Sequence, residues 1–166
     1  MARIPTNLHN YINSAFPENV VLVGTALADG FVQISPRGSV IVYDDETIGF
    51  WDRGQGRTHD TVKNGTKVTI YYRNTDLRAD GTLPKGGIAR FYGTAQLHQD
   101  GQVCDDVYER MAAPERERDP DKKGSAVLVK IENSTLLVGI FLTFVTSNLI
   151  SVHFRIRRFR EILKIF

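Results

Sequence analysis

Two short stretches of this chain carry side chains suited to gripping an anion beside a flat ring. The first is residues 34–39, Ile-Ser-Pro-Arg-Gly-Ser. A strand ends there, the chain turns, and Arg37 is presented between small residues. Gly38 and Ser39 let backbone amides approach a bound group. The planar donor fork of Arg37 matches the oxygens of a phosphate. The second is residues 49–58, Gly-Phe-Trp-Asp-Arg-Gly-Gln-Gly-Arg-Thr. Aromatic residues end a strand, a glycine-rich loop follows, and Arg57 with Thr58 opens a helix. Free amides at a helix start attract an anion, and Arg57 and Thr58 add a charge and a hydroxyl donor. Phe50 and Trp51 offer flat apolar surface to an aromatic ring. Together the stretches suit a ligand with a phosphate at one end and a flat heteroaromatic at the other. Taken singly, each also reads as a plain turn or loop, and Trp51 as a core residue.

Other chemistries find little support. The four histidines, His9, His59, His98 and His153, are scattered, and with the single Cys104 they make no metal-ligand cluster. Cys104 stands beside Asp105 and Asp106, whose charge opposes a thiolate, so it makes a poor nucleophile. A lone cysteine also excludes an internal disulfide, which fits a reducing, cytoplasmic setting. No nucleophile–base pair and no phosphate-loop or dinucleotide fingerprint is present. The first 16 residues lack the continuous apolar run of a signal peptide.

The elements that would hold these stretches are mostly strands. Residues 5–16 have helical spacing, with Leu8, Tyr11, Ile12 and Ala15 recurring. From Val20 the period becomes that of strands: 20–26, a hairpin at Asp29-Gly30, then 31–35, 39–43, 47–51, 67–72, 88–97 and 126–131. Short helices are expected at 57–64 and 103–111, a polar loop at 74–87, and a charged connector at 114–124. Six to seven closely spaced antiparallel strands favour a closed or nearly closed barrel, a mainly β fold with short helices.

The chain has 166 residues and a formal charge of +2. Residues 133–166 hold five basic residues and one acidic, a balance of +4, which leaves −2 on residues 1–132. The body is therefore no nucleic-acid binder by charge. We divide the chain into a domain at 1–132 and an atypical apolar and basic tail at 133–166. Three readings of the tail stand open: a membrane anchor, since residues 135–152 approach the length of a bilayer span; a buried or partner-facing segment; and a stretch foreign to the fold.

The order of motifs across about residues 5–132 resembles the pyridoxamine 5′-phosphate oxidase-like family with the FMN-binding split barrel. The matching pieces are Val23-Gly24-Thr25 with Asp29-Gly30; residues 34–39; Phe50-Trp51-Asp52 with Gly56-Arg57-Thr58; and residues 90–95, Arg-Phe-Tyr-Gly-Thr-Ala. The resemblance implies a homodimer with FMN at its interface. It implies that Ser35, Pro36, Arg37 and Gly38 line the ring and ribityl portion, that Phe50, Trp51 and Asp52 meet the ring edge, and that Arg57 and Thr58 hold the phosphate. It implies an FMN-dependent oxidoreductase acting on a small-molecule substrate or electron donor. The alternative is a non-catalytic split-barrel protein binding flavin, haem or a deazaflavin; a haem would want an axial ligand facing the pocket, and His98 is the only barrel-strand histidine. The longer arginine-to-lysine phosphate motif and the pyridoxal-phosphate pocket of the true oxidases are not found.

Overall fold

The computed structural model describes residues 2–83 and 86–136. The tail from residue 137 onward, with every reading of it, lies outside them. Seven strands form one antiparallel sheet: β1 Val21–Ala26, β2 Val32–Arg37, β3 Ile41–Asp44, β4 Thr47–Asp52, β5 Lys67–Arg73, β6 Ile88–His98 and β7 Ser125–Leu136. Five helices accompany them: α1 Thr6–Asn13, α2 Gly56–Thr61, α3 Asp76–Ala79, α4 Gln102–Arg110 and α5 Ala113–Arg116. Among the described residues no helix is long and apolar enough to cross a membrane.

The strand order is β2-β1-β5-β6-β7-β4-β3, so β2 and β3, consecutive in sequence, lie at opposite edges. In a flat sheet six inter-strand gaps would separate them by about 29 Å. The link from Arg37 to Ile41 reaches at most about 14 Å even when extended. The sheet must therefore curl until its edges approach, which is the split-barrel form. The inward positions fill the barrel: Val21 and Val23 of β1, Ile48 and Phe50 of β4, Ile70 and Tyr72 of β5, Phe91 of β6, and Val127 and Val129 of β7, with Leu8 and Ile12 of α1. A second cluster lies outside the barrel, where α4 brings Cys104, Val107 and Tyr108 against Ile41, Trp51 and Leu128. All six residues of β4 are buried, because both its faces are covered.

Several boundaries differ from the sequence reading. The first helix ends three residues early, and α2 stops at Thr61. Residues 36 and 37, expected in a turn, continue β2, and Pro36 is tolerated because an edge strand leaves one side of its backbone unpaired. β3 begins at Ile41 because Ser39 joins β4 by its side chain instead: its Oγ donates to the Trp51 carbonyl and accepts from the Trp51 amide, both at 3.1 Å. The loop at 74–87 contains α3, and the charged connector begins with α5. β7 runs to Leu136, beyond the change in composition after Glu132.

The connector is strapped to the sheet by Asp119. This buried carboxylate accepts from Trp51 Nε1 at 2.8 Å and from the amides of Lys123 at 3.0 Å and Gly124 at 2.8 Å. Burial alone would raise its pKa; the three donors outweigh that and hold it below its ordinary 3.8. A depressed carboxyl adds stability that is complete above the unfolded pKa and lost as pH falls through the folded one. We expect Asp119→Asn to unfold about 2 kcal/mol more easily at neutral pH. The difference from the parent protein should shrink as pH falls below about 4. Urea melts across that range check it.

Candidate functional site

The curled sheet brings the end of β2 to the end of β4, and α2 covers the junction. Because side chains alternate along a strand, Gln33, Ser35 and Arg37 face one way from β2, and Val32, Ile34 and Pro36 the other. The inward set meets α2 and β4. Ser35 Oγ and Thr58 Oγ1 lie 2.6 Å apart, and Thr58 is buried. Gln33 Nε2 donates to Ser35 Oγ at 3.3 Å. Arg37 donates through Nη2 to Asp52 Oδ1 at 3.3 Å and through Nη1 to the Trp51 carbonyl at 3.5 Å. Its guanidinium carbon stands 5.4 Å from the centroid of Phe50. The side chains of Arg37 and Asp52 are only 11% and 2% exposed, so solvent screens this pair weakly. Burial lowers the guanidinium's pKa from its ordinary value, and Asp52 acts against that shift by charge and hydrogen bond. The Nε of Arg37 is buried without a partner.

Asp52 has a second partner. Its Oδ2 is 2.8 Å from Nδ1 of His59, on the first turns of α2. One carboxylate thus bridges a guanidinium and an imidazole, linking β2, β4 and α2. The sequence reading left His59 among the scattered histidines because it sought metal-ligand spacing. The signal was elsewhere: Asp52 and His59 flank the glycine-rich loop, which folds back and brings them together.

The remaining expected residues take different places. The rings of Phe50 and Trp51 cannot share a ligand face, since neighbours on a strand point to opposite sides. Phe50 is wholly buried in the barrel core. Trp51 packs outward, its ring edge-on to Tyr108 at 5.2 Å and its nitrogen bonded to Asp119. What Trp51 brings to the junction is its carbonyl, which receives Arg37 and Ser39. At Gly38 the place of a Cβ is occupied by Phe16 and, at 2.9 Å, by Glu115 Oε1. Its lack of a side chain therefore serves this packing. Glu115 is itself buried and holds Arg53 and Arg118 at 3.2 and 2.9 Å. Arg57 is exposed and, with Asp29 and Asp60, lines a shallow cleft of about 260 Å³ beside the β1–β2 turn. α2 has only six residues, so the anion-binding argument passes from its dipole to the side chains it carries. His98 ends β6, paired with Ala126 of β7, and its carbonyl receives the Cys104 thiol at 2.9 Å.

The comparisons with known proteins agree with this architecture. The sequence model described as Pyridoxamine 5′-phosphate oxidase matches residues 13–136, well over half of the chain. The chain belongs to that family. No curated protein matches the sequence. Among solved structures, HupZ from Group A Streptococcus aligns with a TM-score of 0.61 at 20% identity, over 81% of this chain and 94% of that one. A putative pyridoxamine 5′-phosphate oxidase from Lactobacillus delbrueckii gives 0.55 at 24% identity, over 81% and 99%. An FMN-binding protein from Syntrophomonas wolfei gives 0.54 at 18% identity, over 80% and 87%. At such identities the likeness is one of fold: a mainly β split barrel, as the strand pattern and motif order predicted.

The junction makes a local energetic prediction. Ser35→Ala and Thr58→Val each remove one end of the buried hydroxyl pair. Their destabilisations should fail to add, with a coupling of about 1 kcal/mol in a double-mutant cycle measured by urea unfolding.

Proposed function

We propose that this chain is an FMN-dependent oxidoreductase that works as a cytoplasmic homodimer on a small-molecule substrate or electron donor. The observation that carries the reading is Arg37: a guanidinium held rigidly at the strand junction, with one N–H buried and unpartnered. A phosphate oxygen would satisfy that donor. The Ser35 and Thr58 hydroxyls and, nearer the surface, Arg57 supply further donors on the same two elements. Backbone from Ser35 to Gly38 and from Phe50 to Asp52 would border the ring.

The opposite face of β2 supports the dimer. Val32 and Ile34 on that face are 64% and 60% exposed, and Phe31, just before the strand, is 72% exposed, a concentration of bare apolar surface at a sheet edge. Register continues that face across the sheet: Ile34 pairs with Gly24, Gly24 with Thr69, and Thr69 with Tyr92. A second copy covering it would bury the patch and protect the edge. Bound flavin supplies the electron-transfer chemistry, while these residues bind, orient and shield it. The family match and the shared fold of the FMN-binding protein from Syntrophomonas wolfei support the cofactor class.

The test begins with the absorption spectrum of the purified protein, which should show flavin bands, and with FMN binding tighter than riboflavin. Arg57→Ala, whose charge is exposed and screened, should cost about 1 kcal/mol of FMN affinity. Combination with Arg37→Ala should bring the loss to several kcal/mol, since charge-assisted contacts are worth about 1.5–3 each. Thermal melts of the variants separate lost binding from lost fold. Unchanged affinity in the double variant rejects the site. Bound flavin that every nicotinamide donor leaves oxidised would favour a binding module over an enzyme.

A further inference from the structure

We propose that the cleft between the α1–β1 turn and the end of β5 binds a small zwitterion with an apolar side chain, a molecule of the α-amino acid class. The inference does not rest on the flavin reading, because none of the cleft's residues contributes a side chain to the β2–β4 junction.

Strand pairing builds the cleft. Leu22 of β1 lies directly opposite Tyr71 of β5 in register. Side chains alternate along β5, so Tyr71 and Arg73 share the outer face while Ile70 and Tyr72 fill the barrel. Glu18, Asn19 and Val20, from the turn before β1, and Thr75, just after β5, complete a lining around about 400 Å³. That volume lies within the range of small-molecule sites.

Its walls are held in place by bonds outside the cleft. The Arg90 guanidinium stands 5.3 Å from the centroid of the Tyr71 ring. Buried Asn74 anchors the turn that carries Arg73 and Thr75. Its amide donates to the Gly87 carbonyl at 2.8 Å, its Nδ2 donates to Tyr72 Oη at 3.2 Å, and its Oδ1 accepts from the Asp76 amide at 2.9 Å. On the other side the Asn19 amide donates to the Ala15 carbonyl at 2.7 Å. A site whose walls are already ordered spends little of its binding energy on ordering them.

The charges select the ligand class. Glu18 and Arg73 are exposed, flank one cleft, and form no ion pair with each other or with any other described residue. Exposed charges are ordinarily just solvated; these two differ in facing a common space that Val20, Leu22 and Tyr71 make partly apolar. Their charges cancel, so a simple anion or a simple cation meets repulsion as well as attraction. A molecule carrying both signs pairs with both. The planar fork of Arg73 suits a carboxylate, and the Glu18 carboxylate accepts from an ammonium group. The amide of Asn19 and the hydroxyl of Thr75 offer further donors and acceptors beside them. The apolar members of the lining then take the side chain, which excludes a purely polar zwitterion as the best fit.

The experiment titrates the purified protein by calorimetry with L-leucine and L-phenylalanine, each also as its N-acetyl and its amide derivative. Each block removes one charge and leaves the side chain intact. The free amino acid should bind about fivefold to tenfold more tightly than either blocked form, since each block removes one solvent-exposed, charge-assisted contact. Arg73→Gln should abolish the advantage over the amide and keep that over the N-acetyl form. Glu18→Gln should do the reverse. Both side chains are exposed, and melting temperatures equal to the parent's establish that the variants are folded. No binding of either amino acid, or equal binding of free and blocked forms, overturns the zwitterion class. A preference that survives both substitutions overturns this cleft as its place. Neither result bears on whether the protein binds FMN, which its absorption spectrum decides separately.

Discussion

Three residues, Gly38, Ser39 and Val40, join strands at the two opposite edges of a seven-stranded sheet, and the rest of the architecture follows from that short tether. It forces the sheet to curl and delivers the end of β2 to the end of β4. Ser39 then stands in for a ladder residue, and Arg37 reaches across to Asp52. The junction is thus where the fold closes and also where its polar side chains converge. A pair this buried owes less to its Coulomb attraction than to hydrogen bonds satisfying both groups, since desolvation opposes the attraction. Packing supplies the frame: Phe50 lies under the guanidinium, and Phe16 and Glu115 close over Gly38.

Asp52 is the node of this arrangement. A buried carboxylate with one cation would already be neutralised. Its second oxygen holds His59, so one side chain ties β2, β4 and α2 together. The two partners, Arg37 and His59, come from different elements, one on a strand edge and one on a short helix. Their geometry therefore depends on closure of the barrel, and neither could be set by local chain preference alone.

Much of this was legible in the sequence. The β-branched runs and hairpin turns gave all seven strands, and the order of short motifs pointed to the split barrel. Boundaries were harder, because Pro36 and Arg37 look like a turn locally and are strand only through pairing with Leu22 and Val21. The convergence of residues 35–37 with 52–58 was readable as motif order. The Asp52–His59 contact was not, since six residues, a loop and the start of a helix, separate them and only the fold-back brings them together. The roles of Phe50 and Trp51 were misjudged for a simpler reason. Adjacency in sequence suggested a shared aromatic wall, whereas strand alternation sends one ring into the barrel and the other beneath α4.

That same alternation explains how β2 can serve two purposes. Its odd positions, Gln33, Ser35 and Arg37, are polar and face the junction. Its even positions, Val32, Ile34 and Pro36, are apolar and face outward. A soluble edge strand ordinarily places its polar residues outside, so this strand is inverted. The inversion is costly for an isolated chain, which must expose apolar surface and bury a guanidinium at once. It becomes favourable if a second chain covers the outer face and an anion meets the spare donor within. Both compensations act on a single strand, so ligand binding and chain association would be coupled through β2, each lowering the cost that the other must meet.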